Sequence, residues 1–215
     1  MSHKFSALTF TEDVAEVQRE MGSRSANEKL TERGPSNDTL GPYERTFIAA
    51  RDGFYLATVG ATGWPYLQFR GGPIGFVDIR DDRTLAYADV TGNRQYITTG
   101  NLRSNHHAAL FFMDYPNQTR LKLLADIETI PWSKAPEWKT ELKLPEKARP
   151  ERVVLIHAAA FDWNCPQHIP QRWTVEELKQ TSIFSRIEAL EKENRELRAA
   201  LAKTPASLCE PRSTD

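Results

Sequence analysis

The sequence contains few of the residues that would indicate a disulfide framework or a metal centre. Its two cysteines, Cys165 and Cys209, lie far apart in the chain, and Cys209 belongs to a polar tail. A structural disulfide is therefore not expected, which favours a cytoplasmic location. The two cysteines also do not stand at ligand spacing, so the sequence predicts no metal site.

Long apolar runs and a charge excess of either sign are also absent. No stretch approaches the roughly 18 apolar residues that a membrane span needs, and residues 1–22 have no apolar signal core. We therefore expect neither a membrane anchor nor a secretory signal. The net charge is −1, from 28 basic and 29 acidic residues, which argues against a nucleic-acid-binding surface. The 215 residues suffice for one domain with extensions, or for two small ones.

Short strand signals separated by turns dominate the middle of the sequence. Between Gly53 and Ile130, apolar segments end in Gly, Asn or Asp, and few helical patterns interrupt them. The predicted strands are FYLATVG, WPYLQFRG continued by IGFVDI, TLAYADV, HAALFFMD, residues 119–130 and residues 153–161. This pattern predicts a mainly β fold of the α+β class, with a small barrel rather than a βαβ sheet.

Helices and loops are predicted around these strands. Thr11 is a candidate N-cap for a short helix over residues 9–21, and Pro42 begins another helix. Residues 22–41 are rich in Ser, Asn, Gly and Pro and predict a loop, which is either a solvated connection or an arm around a partner subunit. Residues 131–150 predict a surface excursion.

The C-terminal part of the chain carries a heptad pattern. Thr174 and Glu177 form a capping box, and a seam of residues spaced alternately by four and three follows. The seam consists of Ile183, Ile187, Leu190, Asn194, Leu197 and Leu201. Asn194 at an a position is typical of a parallel two-stranded coiled coil; the alternative is an amphipathic helix lying on its own barrel. The predicted organisation is an N-terminal arm with a short helix (1–41), a barrel (42–173), a coiled-coil helix (174–203) and a disordered tail (204–215).

Arg70 is the first candidate binding residue. It follows an apolar, aromatic strand and precedes Gly71-Gly72-Pro73, where the missing side chains let a ligand or another backbone approach. A guanidinium is a rigid fork that suits phosphate oxygens. The alternative is a surface ion pair.

A second candidate is the turn Gly92-Asn93-Arg94-Gln95. Asn93 is a good N-cap, so the sequence predicts a helix over residues 93–102. Arg94 would then lie in the first helical turn and oppose the helix dipole unless an anion sits between them. Arg70, this turn and the helix N-terminus together predict a site for a phosphate monoester. The alternative for Arg94 is a surface arginine at a helix start.

The ordered combination R-G-G-P-x-G-F, D-D-R-T-L and D-x-x-G-N-R, followed by an N-L turn and an apolar strand, resembles the FMN-binding split β-barrel proteins related to pyridoxamine 5′-phosphate oxidase. The resemblance covers about residues 43–130. It implies a split β-barrel homodimer with FMN in a cleft at the subunit interface. The implied cofactor-binding residues are Arg70, Gly71, Gly72, Pro73, Ile74, Ala88, Asp89, Asn93, Arg94, Gln95 and Lys122.

Three features depart from the oxidase itself. Ile74 stands where the oxidase has a lysine, the C-terminal substrate-binding arginine and histidine signature is not visible, and the coiled-coil tail is foreign to it. The function that the resemblance implies is therefore an FMN-dependent oxidoreductase acting on an unidentified small molecule. The alternatives are a non-catalytic flavin-binding or redox-sensing protein, and a split-barrel protein that uses haem or a deazaflavin.

A further candidate site follows the last predicted strand. Residues 161–173, FDWNCPQHIPQRW, concentrate polar and aromatic side chains in a span that two prolines constrain. Cys165 and His168 are the predicted catalytic residues, for proton transfer or thiol chemistry. The predicted substrate pocket consists of Trp163, Gln167 and Arg172. The alternative is that the tryptophans pack and His168 bonds a backbone group.

Overall fold

The computed structural model describes residues 2–163 and 167–203. The chain divides into two compact units, Met1–Pro170 and Gln171–Asp215. The predicted catalytic residue Cys165 and the predicted disordered tail, residues 204–215, lie outside the described residues.

One antiparallel sheet organises the first unit. Its strands are β1 (Gly53–Val59), β2 (Pro65–Gly71), β3 (Asp78–Ile79), β4 (Thr84–Val90), β5 (His107–Asp114), β6 (Thr119–Pro131) and β7 (Pro150–Trp163). Their order in the sheet is β2-β1-β5-β6-β7-β4-β3, so β2 and β3 form the edges and the sheet does not close. With its helices, this sheet is an α+β fold consistent with the predicted split barrel.

The main core lies on one face of the sheet, which we call the inner face. Strands form here because apolar residues alternate along them, as in β6, where buried and less buried positions follow each other from Leu121 to Ile127. The largest fully buried side chains include those of Phe54, Leu56, Leu110, Phe112, Leu121, Leu123 and Ile156. Truncating a core residue such as Phe112 to Ala would cost about 3–5 kcal/mol.

The excursion at residues 131–150 contributes a second, smaller core. It contains two short 3₁₀ turns, Trp132–Lys134 and Pro136–Lys139. The buried residues of this cluster are Ala86, Ala88, Ala135, Trp138, Leu142 and Val153. The excursion is therefore packed against β4 and β7, and its tryptophan Trp138 anchors it rather than facing solvent.

The described residues of the first unit form five helices. They are α1 (Lys4–Thr9), α2 (Glu12–Glu20), α3 (Arg24–Arg33), α4 (Pro42–Ala49) and α5 (Ile97–Asn101). The Val14 amide donates to Thr11 Oγ1 at 3.4 Å, which confirms the predicted N-cap. The loop predicted for residues 22–41 was wrong over α3. This helix buries no residue, so it lacks the apolar stripe by which sequence patterns reveal helices.

Two further predicted elements are shorter in the structure. The strand IGFVDI was wrong except for β3, because Gly75 has a φ of 74° and the Phe76 amide donates back to the Pro73 carbonyl at 2.9 Å. The helix predicted from Asn93 begins only at Ile97.

The second unit contains α6 (Val175–Lys179) and α7 (Ser182–Lys203). Glu177 N donates to Thr174 Oγ1 at 3.2 Å and Thr174 N donates to Glu177 Oε2 at 2.7 Å, which confirms the capping box. Gln180 and Thr181 separate the two helices. Within the described residues, no helix combines the length and the hydropathy needed to cross a bilayer.

Candidate functional site

Strand β2 presents two faces of opposite character. Tyr66, Gln68 and Arg70 are half-buried and share the side of the sheet that holds the core. Leu67 and Phe69 point to the other side and are 63% and 59% exposed. The polar side chains of β2 are thus the sheltered ones, and the apolar side chains are the exposed ones.

The inner face of β2 forms one wall of a narrow cleft of about 60 Å³, which we call the arginine cleft. Its other walls are the end of β4, the loop from Thr91 to Tyr96, the start of α5 and the start of β7. The charged residues that line it are Arg70, Asp89, Arg94, Glu151 and Arg152. Residues from β2, β4 and β7 therefore meet here, although β2 is not a neighbour of either other strand in the sheet.

Asp89 forms ion pairs with two arginines of the cleft. It is only 4% exposed, and its Oδ1 lies 2.9 Å from Nη1 of Arg70. Its other carboxylate oxygen is paired with Nη1 of Arg152. One buried carboxylate thus ties two guanidinium groups together, and removing one member of such a buried pair typically costs about 3–5 kcal/mol.

The cleft carries a net positive charge. Arg70, Arg94 and Arg152 face the carboxylates of Asp89 and Glu151, which leaves one positive charge in excess. Arg94 is exposed and forms no ion pair with any other described residue. The cleft is therefore suited to an anion. Arg94 is the arginine of the cleft whose charge is not already balanced by a carboxylate of the described residues.

Glu151 is held as a carboxylate at the rim of the cleft. Tyr96 Oη and Thr91 Oγ1 each donate to Glu151 Oε1 at 3.0 Å, and Arg152 Nη2 lies 2.8 Å from Oε2. Desolvation is the largest influence on the pKa of Glu151 and acts to raise it, but these hydrogen bonds and the arginine charge together lower the pKa below its ordinary value. In the core behind Arg70, burial raises the pKa of Tyr87, which stays a neutral phenol.

The loop before α5 does not form the predicted helix N-terminus. Gln95 N donates to Asn93 Oδ1 at 3.1 Å, and Arg94 and Tyr96 have φ values of 62° and 54°. Asn93 therefore closes a turn through its own side chain, which is the competing use of an asparagine amide. The helix-dipole argument for an anion beside Arg94 was wrong, because Arg94 precedes α5; the argument that remains is the set of side chains.

Five predicted cofactor-binding residues come together in the arginine cleft, namely Arg70, Asp89, Asn93, Arg94 and Gln95. Gly71, Gly72, Pro73, Ile74, Ala88 and Lys122 do not line it. The two glycines make room for rings instead: a Cβ on Gly72 would lie 2.5 Å from Cγ of Phe76, and one on Gly71 would lie 2.9 Å from Cε1 of Phe69.

Lys122 lies on the outer face of the sheet. It pairs in register with Phe111 of β5, and its Nζ is 2.6 Å from Oδ2 of Asp162. Ile74 is 63% exposed, and its carbonyl accepts a hydrogen bond from Lys143 Nζ at 3.2 Å. Neither residue lines the arginine cleft.

Trp163 packs against α4. Its Nε1 donates to Glu44 Oε1 at 2.8 Å, and its ring centroid lies 4.9 Å from that of Tyr43 and 4.8 Å from that of Phe47. These contacts support the alternative in which this tryptophan packs rather than lines a substrate pocket.

Residues 167–170 of the predicted substrate segment do not line the cleft either. Gln118 Nε2 donates to the carbonyl of Ile169 at 2.6 Å, which holds the segment at the turn between β5 and β6. Gln167 and His168 are exposed in the first unit, and Arg172 is exposed in the second. The catalytic role of Cys165 and His168 stays a prediction.

Several residues of the cleft were missed by the sequence predictions. Tyr66 and Gln68 alternate with Arg70, so the two-residue period of a strand could have identified them. Glu151 and Arg152 begin β7 and look like ordinary charges at a strand start. No local pattern in the sequence distinguishes them.

The open antiparallel sheet and the arginine cleft define a split-barrel protein. Residues 41–162 match the family model described as pyridoxamine 5′-phosphate oxidase. The match covers more than half of the chain, so the protein belongs to the pyridoxamine 5′-phosphate oxidase family, a family of flavin-related oxidoreductases. This confirms the resemblance drawn from the motifs.

Solved structures with a similar fold include HupZ of Group A Streptococcus, with 16% identity and a TM-score of 0.44 over 62% of this chain and 100% of that one. A candidate pyridoxamine 5′-phosphate oxidase from Lactobacillus delbrueckii has 24% identity and a TM-score of 0.44, over 58% and 94%. An FMN-binding protein from Syntrophomonas wolfei has 12% identity and a TM-score of 0.39, over 72% and 96%. Because these TM-scores are low, the family assignment rests on the family model. A comparison with curated proteins gave no match.

Proposed function

We propose that the arginine cleft binds the phosphate of FMN and that the protein is an FMN-dependent oxidoreductase acting on a small molecule. The observation that carries the proposal is the meeting of Arg70, Arg94 and Arg152 in one polar cleft with a net positive charge. Guanidinium groups bind phosphate oxygens with charge-assisted, geometrically specific hydrogen bonds.

The donor set of the cleft fits a phosphate monoester. Arg94 is exposed and unpaired within the described chain, and the amides of Asn93 and Gln95 stand beside it. Arg70 contacts Asp89 through Nη1, and a guanidinium with five N–H donors can serve a carboxylate and a phosphate together.

Asp89 has two effects in this arrangement. It holds Arg70 and Arg152 in fixed positions, which reduces the ordering that ligand binding would otherwise require. It also cancels part of the positive charge, so affinity for anions is lower than three arginines alone would provide. When bound, the flavin supplies hydride or electron transfer, and the role of the cleft residues is to anchor and orient it.

We also propose that the outer face of the sheet is a homodimer interface. Tyr55 pairs in register with Phe69 on one side and with Phe111 on the other, and Leu67 and Phe69 are largely exposed. An apolar patch of this kind on a soluble protein typically marks an interaction surface. Lys122 lies on the same face, so in such a dimer it would stand at the interface, where the family resemblance puts FMN.

Arg94→Ala tests the phosphate site directly. One charge-assisted contact is worth roughly 1.5–3 kcal/mol, so FMN binding should weaken about tenfold or more. Riboflavin, which lacks the phosphate, should bind the wild type poorly and should not respond to the substitution. Fluorescence titration with both ligands measures this, and Arg103→Ala, which removes an exposed arginine outside the cleft, is the matched control. Equal losses for FMN and riboflavin would show that Arg94 does not contact the phosphate.

The absorption spectrum of the freshly purified protein tests the cofactor itself. We expect the bands of an oxidised flavin, which should bleach when the true substrate is added. A haem or deazaflavin spectrum would contradict FMN, and a flavin that never turns over would contradict the enzymatic role.

A further inference from the structure

Helix α7 has an apolar stripe that nothing covers in the described chain. Ile183, Ile187, Leu190, Leu197 and Leu201 are 45–77% exposed, and the helix buries no residue over its 22 residues. These residues are the seam of the heptad pattern, with Asn194 among them. About three heptads of exposed seam need a partner helix to become stable in water.

Three of the four charged residues beside this seam have no ion-pair partner within the helix. The fourth, Glu191, lies 4.0 Å from Arg195, and Lys192–Glu196 is a second i,i+4 pair with its charged atoms 4.0 Å apart. By contrast, Arg186, Glu193 and Arg198 have no oppositely charged residue three or four positions away. They also form no ion pair with any described residue.

We propose that α7 pairs with α7 of a second copy of the chain as a parallel, in-register coiled coil. With Ile187 and Asn194 at a positions, Arg186 and Glu193 occupy g positions. In a parallel coil, each g residue faces the e residue five positions later in the other helix. Arg186 then faces Glu191 of the second copy, and Glu193 faces Arg198. Both contacts join opposite charges, and symmetry makes each of them twice.

The polar residue in the seam selects the parallel orientation. In a parallel in-register pair, a positions meet a positions, so Asn194 meets Asn194 and the two amides can hydrogen-bond. In an antiparallel pair, a positions meet d positions, and Asn194 would face an apolar side chain with its amide unsatisfied.

The surface of α7 has a shallow, open depression along the seam, lined by Ile187, Leu190, Glu191, Asn194, Arg195 and Arg198. The first four residues occupy an a, a d, an e and the next a position. In a parallel coiled coil these four positions surround a d-position side chain of the partner helix. The occupant is Leu190 of the second copy.

Disulfide trapping in the full-length chain tests the proposal. Cys165→Ser and Cys209→Ser remove the native thiols, and Ile183→Cys then places one thiol at the d position nearest the start of the seam. In the parallel coil the two introduced thiols are adjacent, whereas in an antiparallel coil they would be roughly 27 Å apart because a helix rises about 1.5 Å per residue. Ser185→Cys, on the opposite side of the helix, is the matched control. We expect rapid cross-linking of the first variant and little of the second.

Charge reversal tests the proposed pairing. Arg186→Glu is added to the Ile183→Cys variant. Each introduced glutamate then faces Glu191 of the other copy, and this repulsion should slow cross-linking about fivefold. Arg186→Glu combined with Glu191→Arg restores opposite charges between copies and should restore the rate, although these positions are not neighbours within one helix. Lys192→Glu, on the outer surface, is the matched reversal and should have no such effect. Circular dichroism verifies that all variants keep their helix content.

Each failure has a distinct meaning. Cross-linking of Ser185→Cys as fast as Ile183→Cys, or no cross-linking of either, would overturn the parallel, in-register coiled coil. Failure of the double reversal to restore the rate would overturn the parallel register. None of these outcomes depends on flavin binding or on whether the sheets also form a dimer, because only thiols on α7 are trapped.

Discussion

Alternate residues of one short strand, β2, form its two faces. The polarity of these faces is the opposite of what is usual for a strand with one side exposed to solvent. The sheltered residues Tyr66, Gln68 and Arg70 are polar, and the exposed residues Leu67 and Phe69 are apolar. In an antiparallel sheet with one solvated face, the apolar side chains normally face the core. We interpret the inversion as follows: the inner face is completed by an anionic ligand and the outer face by a second subunit.

The largest expected effect is on the outer face. In a chain ending at Thr174, which lacks α7, the protein should remain a dimer, and Phe69→Asp should convert it to a monomer. A carboxylate buried without a partner in an apolar interface is strongly unfavourable, and two-fold symmetry places it there twice. Multi-angle light scattering measures the outcome.

Trp64→Asp is the matched control for this experiment, because Trp64 is 78% exposed and precedes β2. A monomer before any substitution would show that the outer face does not suffice for dimerisation. A dimer that survives Phe69→Asp would place the interface elsewhere.

On the inner face, Asp89→Asn should change stability and affinity in opposite directions. Unfolding free energy should fall by about 3 kcal/mol, because two buried guanidinium groups lose their shared carboxylate. FMN affinity should rise, because the same guanidinium groups become more available to the phosphate. Denaturant unfolding and FMN titration measure the two quantities, with Glu146→Gln as a control that removes an exposed acid. If both the unfolding free energy and the FMN affinity fall, Asp89 supports binding by holding the arginines in position and does not compete with the phosphate for them.

The glycines after Arg70 separate ring packing from ligand contact. Gly72→Ala would place its Cβ 2.5 Å from Cγ of Phe76 and should reduce the unfolding free energy by about 1–3 kcal/mol. FMN affinity should change little, because Gly72 does not line the cleft. Gly100→Ala, where a Cβ meets no atom within 4 Å, is the control. A large loss of FMN affinity with unchanged stability would restore the ligand-contact role.

The smallest effect concerns pH. The pKa of Glu151 is lower in the folded protein than its ordinary value of 4.5, so this group stabilises the fold above that value. The contribution is lost as pH falls through the folded pKa. The melting temperature of the wild type should therefore exceed that of Glu151→Gln near neutral pH by a small margin, and the margin should shrink below pH 4.5. A margin that stays constant to low pH would mean that the carboxylate charge contributes nothing.

Local patterns in the sequence determined most of the strands and helix caps. Short apolar segments bounded by turn residues located β1, β4, β5 and β6, since a strand that contributes to the core is apolar and ends where a turn begins. Thr11 and Thr174 were identified as caps because their side chains satisfy backbone N–H groups only a few residues away. The motifs also brought Arg70 and Arg94 into one predicted site, which the structure shows as one cleft.

Only the tertiary structure decided which partners these residues have. Arg70 and Arg152 lie on strands far apart in the chain, and the open sheet brings them to the same carboxylate of Asp89. Gly72 looked like a place for a ligand, but the ring of Phe76 fills the space. Such contacts join residues that are far apart in the sequence, and they depend on the order of the strands and on the path of the loops between them. A local sequence pattern indicates only contacts between residues that are close together in the chain.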